Sequence, residues 1–124
     1  MRGDAMYEVI GYTKENGDVP VQDFLDSLPV KLREKTLRSM LLLEEYGPFL
    51  HGEVSSFIGD GVFELRTKFG SDITRVFYFL VIGKRIILTN GFVKKTRKAP
   101  KREIDRALAY KKDWEARNGS VEPA

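Results

Sequence analysis

The stretch VFELRTKFGSDITRVFYFLVIGKRIILTNGF, from Val62 to Phe92, decides the fold of this 124-residue chain. It contains three runs that are rich in Val, Ile, Phe and Leu, and such runs predict β-strands. The middle run is apolar on both faces, which favours a central strand that is covered on both sides. The three predicted strands cover residues 62–69, 73–82 and 85–92.

Short polar segments separate these strands and predict turns. Gly70-Ser71-Asp72 lies between the first two strands, and Gly83-Lys84 lies between the last two. Glycine at position 83 suits a type II′ turn, which requires a positive φ at its first central residue. The pattern therefore predicts three successive strands that are joined by tight turns.

Two helices are predicted before this stretch. The first begins at Pro20, because proline is favoured in the first turn of a helix, and it ends at Pro29. The second covers residues 30–46 and ends at Gly47-Pro48. Both are predicted to form a helical hairpin packed on another element, because their apolar residues recur at helical spacing. These residues are Val21, Phe24, Leu25 and Leu28 in the first helix and Leu32, Met40, Leu43 and Tyr46 in the second.

The ends of the chain complete an α+β fold. Residues 7–12 predict a short opening strand, and residues 100–117 predict a closing helix with an apolar stripe. A chain of this length is enough for one domain and too short for two. We therefore expect a single domain over residues 1–117 and a flexible tail over residues 118–124.

Charge is distributed unevenly along the chain, although the formal net charge is only +3. Residues 1–60 contain six Lys and Arg against 11 Asp and Glu, whereas residues 84–117 contain 12 against four. A positive potential concentrated in the C-terminal third suits a polyanion such as nucleic acid. The alternative is a basic surface that only faces solvent.

The densest basic segment begins at the end of the third predicted strand and leads into the closing helix. Clusters of this kind bind phosphates through their charge, and a threonine hydroxyl adds a hydrogen-bond donor. A loop that only faces solvent remains the alternative interpretation. The candidate phosphate-binding residues of this segment are Lys94, Lys95, Thr96, Arg97, Lys98, Lys101 and Arg102.

Further cations lie on the first two predicted strands. Arg66 and Lys68 are two residues apart and so share one face of their strand. Arg75 lies in a run that is otherwise nearly all hydrophobic, where its charge needs an anionic partner. That partner is either a ligand or an internal carboxylate, Glu64 or Asp72. Arg66 and Arg75 fall on opposite faces if the turn has three residues, and on one face if the pairing contains a bulge.

Composition excludes several classes of site. The chain has no cysteine, so disulfides, thiol catalysis and zinc–thiolate sites are excluded. A single histidine, His51, excludes a His-rich metal site, and the carboxylates are not spaced as a metal cluster. No apolar run approaches the roughly 20 residues of a membrane-spanning helix. We therefore expect a cytoplasmic protein that contacts no membrane and binds neither a metal nor another cofactor.

Three segments, taken together and in order, resemble the phage-related, HigB-like branch of the RelE/ParE toxin superfamily. This branch typically has a strand with Gly-aromatic-Glu-Leu-Arg, a strand with Arg-x-x-Tyr, and a lysine-rich segment that begins with Gly-Phe and ends with proline. The similarity extends over roughly residues 7–115. The matching segments here are Gly61–Arg66, Thr74–Tyr78 and Gly91–Pro100.

The resemblance implies a RelE-like fold, which is a twisted, mainly antiparallel sheet with an N-terminal helical hairpin and a C-terminal helix. It also implies a toxin of a type II toxin–antitoxin system. Such a toxin cuts ribosome-bound mRNA without a metal ion and is neutralised by a cognate antitoxin protein. The ribose 2′-OH attacks the adjacent phosphate, which needs a proton acceptor, cations around the phosphorane and a proton donor.

The resemblance also assigns roles to single residues. Arg66 and Arg75 match strand arginines that hold the scissile phosphate, and Lys94 and Lys95 match paired lysines that stabilise charge or move a proton. Tyr78 matches a strand tyrosine with a possible proton-transfer role, and the general base remains unassigned. The expected RNA-binding residues are Lys68, Thr96, Arg97, Lys98, Lys101 and Arg102.

Two other functions are compatible with the sequence. ParE-like members of the superfamily poison DNA gyrase through protein contacts, for which a phosphate-binding cluster is unnecessary. A non-catalytic nucleic-acid-binding protein would use the same cations only to dock phosphates. The cluster beside two strand arginines favours the nuclease.

Overall fold

The computed structural model describes residues 6–47, 54–94 and 100–119. Within these ranges the chain forms one mixed sheet and three helices. The helices are α1 (Pro20–Asp26), α2 (Val30–Tyr46) and α3 (Lys101–Asn118). The strands are β1 (Glu8–Gly11), β2 (Ser55–Gly59), β3 (Val62–Phe69), β4 (Asp72–Val81) and β5 (Arg85–Lys94).

The sheet has the order β1-β5-β4-β3-β2. β1 pairs with β5 in parallel, and the other neighbours are antiparallel. The three strands of the opening stretch therefore lie side by side in the middle of the sheet. This architecture confirms the predicted α+β class with an N-terminal helical pair, a mainly antiparallel sheet and a C-terminal helix.

The two faces of β4 are buried under different helices, as its apolar pattern predicts. Val76 and Tyr78 pack in a core cluster with residues of α1 and α2. Phe77 and Phe79, which point the other way, pack in clusters that contain Ala107 and Trp114 of α3. The sheet thus lies between the α1–α2 pair on one face and α3 on the other.

The helix ends follow from local sequence. Pro20 occupies the first turn of α1, and Gly47 ends α2 with a φ of 54°. Leu32, Met40 and Leu43 of α2 are buried as predicted, whereas Tyr46 in its last turn is 50% exposed. The prediction that Tyr46 faces the core is therefore wrong.

Two features of the sheet differ from the sequence prediction. β2 pairs with β3 along one edge of the sheet, in a segment for which the sequence predicts no strand. In the β4–β5 loop, Val81 pairs with Arg85, and both Gly83 (φ 95°) and Lys84 (φ 58°) have positive φ. A type II′ turn has positive φ only at its first central residue, so this three-residue loop is of another type.

A polar cluster joins the last turns of α3 to the loop after β1. The Tyr12 hydroxyl donates a hydrogen bond to Oδ2 of Asp113 at 2.6 Å, and Nη2 of Arg117 donates to the same oxygen at 2.6 Å. The same Nη2 also donates to the carbonyl oxygen of Thr13 at 2.7 Å. The hydrogen bond from Tyr12, followed by the one from Arg117, lowers the pKa of Asp113 from its usual 3.8.

We expect this cluster to stabilise the protein only while Asp113 is ionised. Because the pKa of Asp113 is lower in the folded chain, its contribution is present above pH 3.8 and is lost as pH falls below that value. Asp113→Asn should therefore lower the urea midpoint at about pH 6 and have much less effect at about pH 3. An equal loss at both pH values would contradict this role.

No helix in the described part of the chain is long and apolar enough to cross a membrane. The predicted tail begins within α3, which includes Asn118, and from residue 120 it lies outside the described residues.

Candidate functional site

The β3–β4 hairpin places Arg66 and Arg75 opposite each other. Phe69 pairs with Asp72, so only Gly70 and Ser71 form the turn, and the register continues without a bulge to the Arg66–Arg75 pair. Directly opposed residues of an antiparallel pair project to the same face. The two arginines therefore share a face. The cause is a two-residue turn, which differs both from the three-residue turn and from the bulge that the sequence suggests.

A pocket of about 340 Å³ opens on this face, and no residue of α3 lines it. Lys94 reaches it from β5, where it pairs with Ile73 and so alternates onto the same face as Arg75. Val54 and Ile73 form the apolar part of the pocket wall. The lining residues that the structure describes are Val54, Arg66, Lys68, Ile73, Arg75 and Lys94.

Arg75 is held inside the protein by Glu64. Its Nη1 donates hydrogen bonds to both carboxylate oxygens, at 2.9 and 2.8 Å, and Nε of Arg66 lies 3.9 Å from Oε1. The side chains of Arg75 and Glu64 are 7% and 3% exposed, against 29% for Arg66. Of the two carboxylates considered from the sequence, Glu64 is the partner, and Nη1 is not available to a phosphate while this pair is formed.

The pocket suits a small, highly charged anion. Like charges on directly opposed residues of a sheet repel each other, and here Glu64 offsets one of two facing guanidinium groups. Arg66 and the exposed Lys68 leave the rim positive, and a guanidinium fits a phosphate through its planar fork. A larger pocket of about 530 Å³ beside α3 mixes acidic and basic side chains, including Asp60, Asp105 and Lys111, and so lacks this selectivity.

Tyr78 is not part of this pocket. It pairs with Phe63 on the opposite face, is fully buried, and stacks on the Phe63 ring with centroids 5.2 Å apart. Its hydroxyl lies 2.6 Å from Oγ of Ser55 in a hydrogen bond that either group can donate. Burial raises the pKa of Tyr78 above its usual 10.0, although the Ser55 hydrogen bond lowers it in part. This position corrects our grouping of Tyr78 with the two arginines.

The basic segment is only partly described. Lys95, Thr96, Arg97 and Lys98 lie outside the described residues. Lys101 and Arg102 are exposed at the start of α3 and do not line the pocket. Nζ of Lys101 donates to Oδ2 of Asp105 at 2.8 Å, and this hydrogen bond raises the pKa of Lys101. Among the described residues of the segment, Lys94 is thus the one that the structure brings to the two arginines.

Sequence reasoning considered Glu64 only as a partner for Arg75 and missed its place in the site. The available signal was its spacing, because Glu64, Arg66 and Lys68 alternate along one strand and share a face. Among residues 6–47, 54–94 and 100–119, no group of three or more His, Cys, Asp or Glu side chains could hold a metal ion.

Comparisons with known proteins place this geometry in a family. One similar solved structure is the crystal structure of the archaeal RelE-RelB complex from Pyrococcus horikoshii OT3, with 21% sequence identity, a TM-score of 0.47, and coverage of 76% of this chain and 99% of that chain. No curated protein sequence matches the chain. The model of the family described as "Phage derived protein Gp49-like (DUF891)" matches residues 23–112, which include the last part of α1, all of α2, the hairpin with both arginines and most of α3. The chain therefore belongs to the phage-derived Gp49-like family, a family of RelE-like toxins.

Proposed function

We propose that this protein is the toxin of a type II toxin–antitoxin system and acts as a metal-independent endoribonuclease on mRNA, most effectively on the ribosome. The observation that carries the proposal is the pocket of about 340 Å³ that Arg66, Lys68 and Lys94 line together with Arg75. Convergence of cations on one point is what phosphodiester cleavage requires, because negative charge accumulates there in the transition state.

In the proposed reaction the RNA attacks its own phosphate. The 2′-oxygen of a ribose attacks the adjacent phosphorus and loses its proton to a base, while the P–O bond to the next nucleotide breaks and the leaving 5′-oxygen gains a proton. The products are a 2′,3′-cyclic phosphate and a 5′-hydroxyl. Arg66, Lys68 and Lys94 are the proposed phosphate contacts at the rim, and Arg75, which Glu64 holds through Nη1, is the proposed contact on the inner wall. Lys95 is proposed to stabilise charge or move a proton, as its match to the paired lysines implies, and the basic residues after it are proposed to bind the flanking RNA.

A toxin of this class acts in the cytoplasm, with mRNA and the ribosome as targets and a cognate antitoxin protein as its inhibitor. We propose that residues 1–117 form the single toxin domain and that no cofactor takes part. A ParE-like toxin, which works through protein contacts, has no use for converging cations on a sheet face, so the pocket favours the nuclease. A non-catalytic RNA-binding protein remains the second candidate, since it needs the same cations.

Expression in a bacterial host tests the proposal. Induction of the wild-type protein should arrest growth, and primer extension on translated messages should reveal new 5′ ends that are absent from uninduced cells. Co-expression of the cognate antitoxin should restore growth. Growth arrest without cuts in RNA would favour a protein-targeting toxin, and normal growth at a high level of folded protein would contradict the proposal.

We expect Tyr78→Phe to retain RNA cleavage. Removal of the hydroxyl leaves the Ser55 hydroxyl without its 2.6 Å partner in a buried position, which costs about 1 kcal/mol of stability. The pocket on the other face keeps its cations. The measurement is the cleavage rate of the folded variant together with its unfolding free energy. A large drop in the cleavage rate with an unchanged unfolding free energy would show that the Tyr78 hydroxyl takes part in catalysis.

A further inference from the structure

An anionic group lies behind the cationic pocket, paired with Arg75, which lines the pocket. Glu64 is 2% exposed and lies on the same face as the two arginines, yet the anionic ligand of the proposed function should be repelled by a carboxylate. A buried carboxylate is costly unless it is paired. The presence of Glu64 therefore indicates a function that outweighs the weaker positive potential it causes in the pocket.

The hydrogen bonds of Glu64 show what this function is. Both carboxylate oxygens accept from one nitrogen, Nη1 of Arg75, so they compensate the charge of the guanidinium and hold its Nη1 end in place. Arg66, which faces Arg75 across the strands, has its Nε 3.9 Å from the same carboxylate. The carboxylate is thus the contact that Arg75 and Arg66 share, and it allows two like charges to stay opposite each other.

Glu64 is the least exposed to solvent of the three charged side chains. The side chain of Arg66 is 29% exposed, that of Arg75 is 7% exposed and that of Glu64 is 3% exposed. Arg66 and Arg75 line the pocket and Glu64 does not, so an anion in the pocket contacts the arginines rather than Glu64. Glu64 therefore acts on the ligand through the arginines.

We propose that Glu64 is a positioning residue that orients Arg75 and, through it, the reactive phosphate of an RNA chain, at the expense of RNA affinity. The inference rests on the proposed function for the identity of the ligand. It separates two contributions of the site: the rim cations Arg66, Lys68 and Lys94 bind the phosphate and stabilise its charge, and the Glu64–Arg75 pair determines where the phosphate sits. Small errors in position slow an enzymatic step strongly, whereas removal of a negative charge strengthens phosphate binding.

Glu64→Gln should therefore change affinity and rate in opposite directions. We expect the variant to bind a single-stranded 2′-O-methyl RNA about threefold to tenfold more tightly. We expect it to cut a ribosome-bound message about tenfold to a hundredfold more slowly. Glu34→Gln, which makes the same chemical change on the exposed surface of α2, is the matched control and should alter neither quantity. A purely structural role would lower both quantities together.

A double-mutant cycle tests whether Glu64 acts through Arg75. In an Arg75→Gln background, Glu64→Gln should slow cleavage no further, because the group that it orients is already gone. An equal slowing in both backgrounds would overturn the inference and make Glu64 a group that acts on the RNA itself. If Glu64→Gln does not fold, Glu64→Asp keeps the charge but shortens the reach, and it should slow cleavage while RNA affinity stays the same.

The failure of this inference is distinguishable from the failure of the proposed function. The side-chain Nε–H signal of Arg75 in a ¹⁵N NMR spectrum reports its order without any RNA. We expect a sharp, dispersed signal in the wild type and a broadened one in Glu64→Gln. An unchanged signal overturns the inference even if the wild type cuts RNA. If the wild type cuts no RNA, the proposed function fails, and the signal together with affinity for 2′-O-methyl RNA still decides the role of Glu64.

Discussion

Arg66→Ala should reduce the rate of RNA cleavage by about a hundredfold to a thousandfold, which is the usual effect of removing one preorganised donor from a charged transition state. Arg66 is the more exposed of the two facing arginines and lines the pocket beside Lys68 and Lys94. Its guanidinium opposes charge that grows as the 2′-oxygen attacks, so the loss should fall mainly on kcat. RNA affinity should weaken only a few-fold, because the remaining cations still attract the phosphate.

The control for this prediction lies on the other side of the sheet. Arg38 is an exposed arginine of α2, and Arg38→Ala removes the same charge without touching the pocket. The two variants should be compared in single-turnover cleavage and in RNA binding at several salt concentrations. Equal, small effects of both variants on the rate would show that Arg66 contributes only general charge, as in a non-catalytic RNA-binding protein.

Arg75→Met should destabilise the folded protein by about 3–5 kcal/mol, the usual cost of removing one partner from a buried ion pair. Met retains the bulk of the arginine side chain but leaves Glu64, which is 2% exposed, without its two hydrogen bonds from Nη1. Urea unfolding monitored by circular dichroism measures the loss. The double variant Glu64→Leu/Arg75→Met removes both charges and should recover most of the stability.

A surface ion pair provides the comparison for Arg75. Arg117→Ala breaks a pair with Asp113 in which both side chains are more than a third exposed, and its effect on stability should be much smaller. If Arg75→Met and Arg117→Ala were equally mild, or if the double variant were no more stable than Arg75→Met, Glu64 would not be a buried charge that depends on Arg75.

The strands β3, β4 and β5 were predictable because their runs of Val, Ile, Phe and Leu favour strands over helices. β3 covers the predicted residues, and β4 and β5 differ from their predicted ranges by one or two residues at an end. β2 was missed because its five residues, SSFIG, contain two serines and a glycine and lack the strong alternation of its neighbours. Its pairing with β3 is a tertiary effect that local propensity does not report.

The composition of the site was predictable in part, and its geometry was not. Alternation alone places Arg66 with Lys68, and the odd spacing of Arg75 and Tyr78 should already have placed Tyr78 on the other face. The register that brings Arg66 opposite Arg75 depends on a two-residue turn, and a Gly-Ser-Asp segment is compatible with turns of different length. The choice of Glu64 as the partner of Arg75 follows from that register.

The most direct test of the central claim is to map where a phosphate chain binds. A single-stranded 2′-O-methyl oligonucleotide carries the phosphates but lacks the attacking hydroxyl, so it can be titrated into the ¹⁵N-labelled protein without being cut. We expect the backbone and side-chain signals of Arg66, Lys68 and Lys94 to shift together, while Leu37 and Leu41 on α2 remain unchanged. Shifts that concentrate on α2, or that spread over the surface without involving Arg66, would contradict the claim that these cations grip one phosphodiester.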